Sequence, residues 1–333
     1  MKNQTKHFVK KISAPLFAIL TICLLFISCA KDSSGTPTST DFSNLKENAL
    51  NSITENFHFN ANSGYVSFTT AKGVIISFDS NDLTLNGNPI SGVIDLTFIE
   101  IFDNATMLAT GMHTMGLMSD SNHAVMNSGG EFYINMTRND QQLTMGSLIN
   151  LEIPANLTDD SGGNPEMTLW DFNEEDTVWV PQPENPAGVA GVFLGNGQIA
   201  ETGPTYFAYL NHFGWTNVDC FYSDPRPRTT ILASVPAGYT DQNSSVYLHY
   251  DGQKSVLALL DTYDASTALF SEHYGQIPIG LNCHIIFVTE DNGQWRYAIK
   301  AATITADAVY NFTNAETTVG TQAQMIAAID ALP

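Results

Sequence analysis

The chain has 333 residues, of which 34 are Asp or Glu and only 13 are Lys or Arg, for a formal net charge of −21 at pH 7. No Lys or Arg occurs between Arg138 and Arg226. Phosphate binding rests on neutralisation by Lys and Arg, so this balance excludes nucleic acid as a partner and disfavours an anionic lipid surface.

Lys2, Lys6, Lys10 and Lys11 form a positive start, and an apolar run from Ala14 to Ile27 follows, broken only by Pro15 and Thr21. A positive segment ahead of a short apolar one is an export signal, whereas a spanning helix needs about 20 apolar residues. Leu25-Phe26-Ile27-Ser28-Cys29 resembles a lipobox, with Phe26 where Leu is usual. The resemblance implies a signal peptide over residues 1–28, cleavage before Cys29 and acylation of its thiol by palmitate-type chains. The alternative is a plain secretory signal cut a few residues later. Cleavage removes four lysines and no acid, which takes the net charge from −21 to −25.

Buried acyl CH₂ groups contribute about 0.8 kcal/mol each, so several chains on one cysteine hold a protein on a membrane. Ala30 to Thr40 is small and polar, and residues 29–45 therefore read as a flexible tether. Lys31-Asp32 resembles the surface-export signal of Bacteroidota lipoproteins. The expected location is the outer membrane, with the periplasmic and surface-exposed orientations both open. Once Cys29 is acylated, Cys220 and Cys283 are a candidate disulfide, with two buried free thiols as the alternative.

The rest of the chain reads as all-β. A short helix is expected around Phe42 to Ile53. Ile94, Leu96 and Phe98 alternate with Asp95 and Thr97, as Phe132, Ile134 and Met136 do with Tyr133 and Asn135. Period-two alternation marks half-buried strands. Asn86-Gly87-Asn88-Pro89, Asn127-Ser128-Gly129-Gly130 and Arg138-Asn139-Asp140 read as turns. Asp251-Gly252 and Asp291-Asn292-Gly293 each sit between apolar runs as hairpin signals. Met325, Ile326, Ile329 and Leu332 predict a C-terminal helix over Thr321 to Leu332. The Pro/Gly-rich stretch Pro181 to Gly188 is the expected boundary between two β-sandwich domains, 46–183 and 190–333.

Ile90 to Phe102, Asn127 to Ile134 and Leu169 to Trp179 are similar to strands of Bacteroidota cell-surface lipoproteins carrying a ZU-like β-sandwich. Gly214-Trp215-Thr216-Asn217-Val218-Asp219 resembles a GW-x-N-x-D signature of the same proteins. The resemblance implies an outer-membrane or surface lipoprotein with no inherited active site. Some ZU-related domains cleave themselves at His-Phe-Ser. Here His212-Phe213-Gly214 lacks the hydroxyl nucleophile, which rules out that chemistry at this site.

Candidate ligands are few. Met112, Met115 and Met118, with His113, carry soft donors at a spacing suited to Cu(I), against the alternative of gap-filling in a core. Asp159-Asp160-Ser161-Gly162-Gly163-Asn164 and Asp171-x-Asn173-x-Glu175 offer oxygens for calcium but lack the full loop spacing. No His-Glu-x-x-His pair, Gly-x-Ser-x-Gly elbow, phosphate loop or dinucleotide fingerprint occurs. Trp170, Trp179, Tyr206, Trp215, Tyr222 and Trp295 are the aromatics available for a sugar platform, with core packing as the alternative.

The expectation is a non-enzymatic, lipid-anchored envelope protein without a cofactor, presenting β-sandwich modules to an unknown protein or glycan. The alternative is a carbohydrate-binding accessory of a polysaccharide-uptake system.

Overall fold

The computed structural model describes residues 36–158, 162–182, 191–196, 203–272 and 275–333. The signal peptide, Cys29 and the tether up to Gly35 lie outside the described residues. Thr36–Pro333 forms one compact unit. Strands dominate it, and the α-helices among the described residues are α1 (Ser39–Ser52), α2 (Asn104–Thr110) and α3 (Gln322–Asp330).

The expected tether is shorter than residues 29–45, because α1 begins at Ser39. Thr38 and Asp41 close a capping box: the Asp41 N–H donates to Thr38 Oγ1 at 3.2 Å, and the Thr38 N–H donates to Asp41 Oδ2 at 3.0 Å. Such a cap contributes about 1 kcal/mol, and the small polar residues that read as a linker are a helix start. Phe42, Leu45 and Ala49 bury one face of α1 at positions three and four apart.

Two β-sandwiches follow. The first pairs an eight-stranded sheet with a five-stranded one. In the larger sheet, Glu55–Asn60, Val93–Ile101, His123–Arg138, Gly214–Phe221 and Thr168–Asn173 lie side by side. The smaller is ordered Gly191–Asn196, Pro204–Leu210, Ile149–Pro154, Ile75–Asp79 and Tyr65–Thr69. Ile94, Leu96, Phe98, Phe132 and Ile134 meet Ile76, Phe78, Leu151 and Tyr206 in the core between them.

The expected domain boundary moves. Gly191–Asn196, Pro204–Leu210 and Gly214–Phe221, assigned to a second domain that starts at residue 190, are strands of the first sandwich. The division falls between Phe221 and Arg228. Residues 183–190 of the Pro/Gly-rich stretch lie outside the described residues, and the strands on either side of them, Val178–Pro181 and Gly191–Asn196, both pair within the sheets of the first sandwich.

The Asn127-Ser128-Gly129-Gly130 turn is also corrected, since these residues run inside the strand His123–Arg138. Their glycines answer to packing. A Cβ on Gly130, whose φ is +133°, would lie 2.5 Å from the Phe132 ring and 2.6 Å from the Phe102 ring. One on Gly129 would lie 3.0 Å from the Val218 carbonyl oxygen.

The second sandwich has a five-stranded sheet ordered Leu257–Leu259, Ser244–Tyr250, Asn282–Asp291, Gln294–Thr303 and Thr318–Gly320. Its hairpin turns at Asn292 and Gly293, both left-handed at φ 52° and 80°, as the Asn-Gly pair predicts. One face, with Val246, Leu248, Ile285 and Phe287, packs on a four-stranded sheet through Ala233 and Phe270. The other face, with Tyr247, Ile286, Val288 and Trp295, packs on the helices. Covering on both sides explains the unbroken apolar run Ile285-Ile286-Phe287-Val288.

The helices form a middle layer. Phe42 and Leu45 of α1, Met107 and Leu108 of α2, and Met325 and Ile329 of α3 share one cluster with both sandwiches. That cluster takes Ile99, Ile101 and Trp170 from the first sandwich and Tyr247 and Trp295 from the second. Thr321 caps α3, the C-terminal helix expected from its apolar spacing.

Candidate functional site

The segment Gln253–Leu257 stitches the sandwiches together. Asn104 donates from its N–H to the Lys254 carbonyl at 3.1 Å and from Nδ2 to the Gln253 carbonyl at 2.8 Å. Ser128 and Ser255 exchange two bonds, N–H to carbonyl at 3.1 Å and Oγ to carbonyl at 2.7 Å. Beside this seam, among α2, α3 and the turn after Tyr250, lies a cleft of about 360 Å³. Asp103, Asn104, His249, Lys254, Asp330 and Leu332 are among its lining. Burial, and then the nearby Asp103, push the Asp330 carboxyl above its ordinary value.

Three chemistry-bearing side chains converge at His249, which lines this cleft. His249 and His284 face each other directly across the antiparallel pair of Ser244–Tyr250 and Asn282–Asp291. Asp251 follows His249 by two residues, in the turn that begins where the strand ends at Tyr250. His284 Nδ1 lies 2.7 Å from Asp251 Oδ1. His249 Nδ1 lies 3.6 Å from the same oxygen and has no hydrogen-bond partner. His249 is only 6% exposed, and burial lowers its affinity for a proton. One donor atom from each of the three residues falls within 4.8 Å of the others, a set able to hold a metal ion.

A second cavity, of about 260 Å³, is lined by Lys46, His113, Asp241, Tyr247 and Asp261 among others. The Lys46 ammonium sits 4.3 Å from the centre of the Phe42 ring, and burial pulls it down to about 8. His113 is buried and pulled down to about 3, first by burial and then by the Lys46 charge.

The third feature is a buried acid network. Asn217 stands opposite Glu131, and the register then slips so that Asp219 faces Ser128. Ser128 Oγ donates to Asn217 Oδ1 at 3.0 Å, and Asn217 Nδ2 donates to Asp219 Oδ2 at 2.6 Å. Glu131 is fully buried, with neither carboxyl oxygen hydrogen-bonded. Burial raises Glu131 and Asp219 well above ordinary carboxyl values, and each acid then stays neutral over a wider pH range.

The residues expected from sequence fare differently. Cys29 lies outside the described residues. Cys220 and Cys283 are both free, one in the core of the first sandwich and the other in that of the second, so the candidate disulfide does not form. Burial pushes their thiols up to about 11 and about 12. The proposed copper ligands are divided: Met112 packs in the helix layer and Met115 in the second sandwich's cluster, while Met118 is half-buried. His113 Nδ1 is already taken by the Met115 N–H at 3.3 Å.

Asp159, Asp160 and Ser161 lie outside the described residues. Asp171 Oδ1 is engaged by Gln182 at 2.7 Å and His212 at 3.0 Å, and Asn173 Oδ1 caps its own turn through the Glu175 N–H. Trp170, Trp179, Tyr206 and Trp295 are buried, which removes four of the six aromatics considered for a sugar platform.

Sequence reasoning missed the His249, Asp251 and His284 set. Its one local signal is His249-Tyr250-Asp251, an i, i+2 pair at a strand end ahead of a turn. The partner strand that supplies His284 is fixed only by the register. Glu131 and Asp219 are 88 positions apart in sequence, and only the strand register brings them together. No protein-family model matches the chain, and no curated protein matches it.

Proposed function

We propose that the chain is a non-enzymatic, lipid-anchored envelope protein of the outer membrane, related to the ZU-like surface lipoproteins of Bacteroidota. In this reading it holds two clasped β-sandwiches off the bilayer as a rigid binding module. The observation that carries the reading is the order of features along the chain. A positive start, an apolar run and Ser28-Cys29 precede a short polar linker, and the first helix of the folded unit begins at the Thr38 cap. Among the described residues no helix is long and apolar enough to cross a membrane. The cleft between the sandwiches is the place offered to a ligand.

Metabolic labelling with an alkyne fatty acid tests the reading. The wild-type chain takes up label and sediments with membranes, whereas Cys29→Ala is unlabelled and leaves the membrane fraction. Equal membrane association of the variant rejects the anchor.

A further inference from the structure

We propose that His249, Asp251 and His284 form a binding site for one divalent transition-metal ion of the Zn²⁺ class, with its open coordination position facing the cleft between the sandwiches. The site is built by secondary structure. Two histidines occupy opposed positions on neighbouring strands, and the carboxylate follows two residues after one of them. The turn that holds Asp251 is fixed at both sides, by its own N–H on the Asn282 carbonyl at 3.2 Å and by the Gly252 N–H on the Pro333 carbonyl at 3.0 Å.

A structural role alone accounts for part of the set. The 2.7 Å bond between His284 and Asp251 is a satisfied pair. It leaves His249 Nδ1 stranded inside the protein, 3.6 Å from an oxygen already in use. A buried polar atom without a partner is destabilising, and native folds seldom leave one. A cation among the three donors satisfies all of them at once.

The distances suit such an ion. Donors about 2.0–2.1 Å from a metal are separated by about 2.9–3.4 Å at tetrahedral or octahedral angles. The observed separations of 2.7 Å and 3.6 Å from Asp251 Oδ1 bracket that range. Two imidazoles and one carboxylate match borderline ions such as Zn²⁺ or Co²⁺. Calcium asks for six to eight oxygens, and Cu(I) prefers sulfur. With three protein donors, a fourth position stays open, and His249 lines the cleft onto which it would face.

The site is independent of the lipid anchor, and its test uses the full chain purified without a histidine tag. Calorimetric titration with Zn²⁺ and absorption spectroscopy with Co²⁺ are run on the wild type, Asp251→Asn, His284→Gln and His249→Gln. His58→Ala, at an exposed His–Asp pair, serves as the control. Circular dichroism confirms that each variant is folded, and Asp251→Asn, which keeps the volume and a hydrogen bond, covers the case in which a histidine variant does not fold. The expected result is one ion per chain, visible Co²⁺ ligand-field bands, and a loss of at least about 100-fold in Zn²⁺ affinity in every folded variant except His58→Ala. Absence of stoichiometric binding to the wild type overturns the proposal, as does binding that survives Asp251→Asn unchanged or that vanishes in His58→Ala.

Discussion

Asn217 lies directly opposite Glu131 across the antiparallel pair that centres the larger sheet of the first sandwich, and both are fully buried. Asn217 spends its side chain on Ser128 and Asp219, so the Glu131 carboxyl has no hydrogen-bond partner. An isolated carboxylate there is far costlier than the neutral acid. The native state therefore keeps a proton that the unfolded chain releases above its ordinary value of 4.5. Because the folded state binds more protons in that window, stability falls as pH rises above about 4.5. Glu131→Gln removes this dependence. Thermal melts across pH should show the variant gaining on the wild type as pH increases, and parallel curves would contradict the burial argument.

Lys46 titrates with the opposite sign. The folded protein releases its proton near 8, whereas the unfolded chain holds it to about 10.5. The unfolded state binds more protons between these values, so this group makes stability rise with pH across that window. Lys46→Met, which keeps the stem and drops the charge, should melt above the wild type at pH 7. The gap should close toward pH 10.5.

Gly130→Ala should cost about 2–5 kcal/mol, combining an unfavourable backbone conformation with overpacking against Phe102 and Phe132. Gly87→Ala, at a positive φ with open space around it, should cost only about 1–2 kcal/mol. Urea denaturation of the two variants measures the difference.

Cys220 and Cys283 should both alkylate without reductant once the chain is unfolded, and react slowly while it is folded, because both are buried and resist ionisation. Peptide mapping by mass spectrometry reads each site.

The two sandwiches should melt together. Met107 and Leu108 of α2 pack in a cluster that also holds Ile101 and Trp295, and the Ser128–Ser255 exchange crosses the seam. Scanning calorimetry should give one transition, and two resolved transitions would show independent domains.

What was legible in the sequence follows from how local each signal is. Alternation at Ile94, Leu96 and Phe98, the Asn292-Gly293 hairpin and the Met325–Ile329 face are set by neighbours a few residues apart, and each appears where expected. Thr38 misled because a capping residue and a linker residue have the same chemistry. Gly129 and Gly130 misled because glycine serves close packing as readily as a turn. The return of Gly214–Phe221 to the first sandwich is a matter of long-range pairing, which composition does not carry. The same holds for His284, which meets Asp251 across 33 residues only because two strands align in one register.

Intact-mass spectrometry of the protein extracted from membranes reads the proposed anchor itself. The expected mass is that of a chain that begins at Cys29 and carries a diacylglyceryl group on that cysteine. A chain that retains residues 1–28, or one whose Cys29 is unmodified, would contradict it.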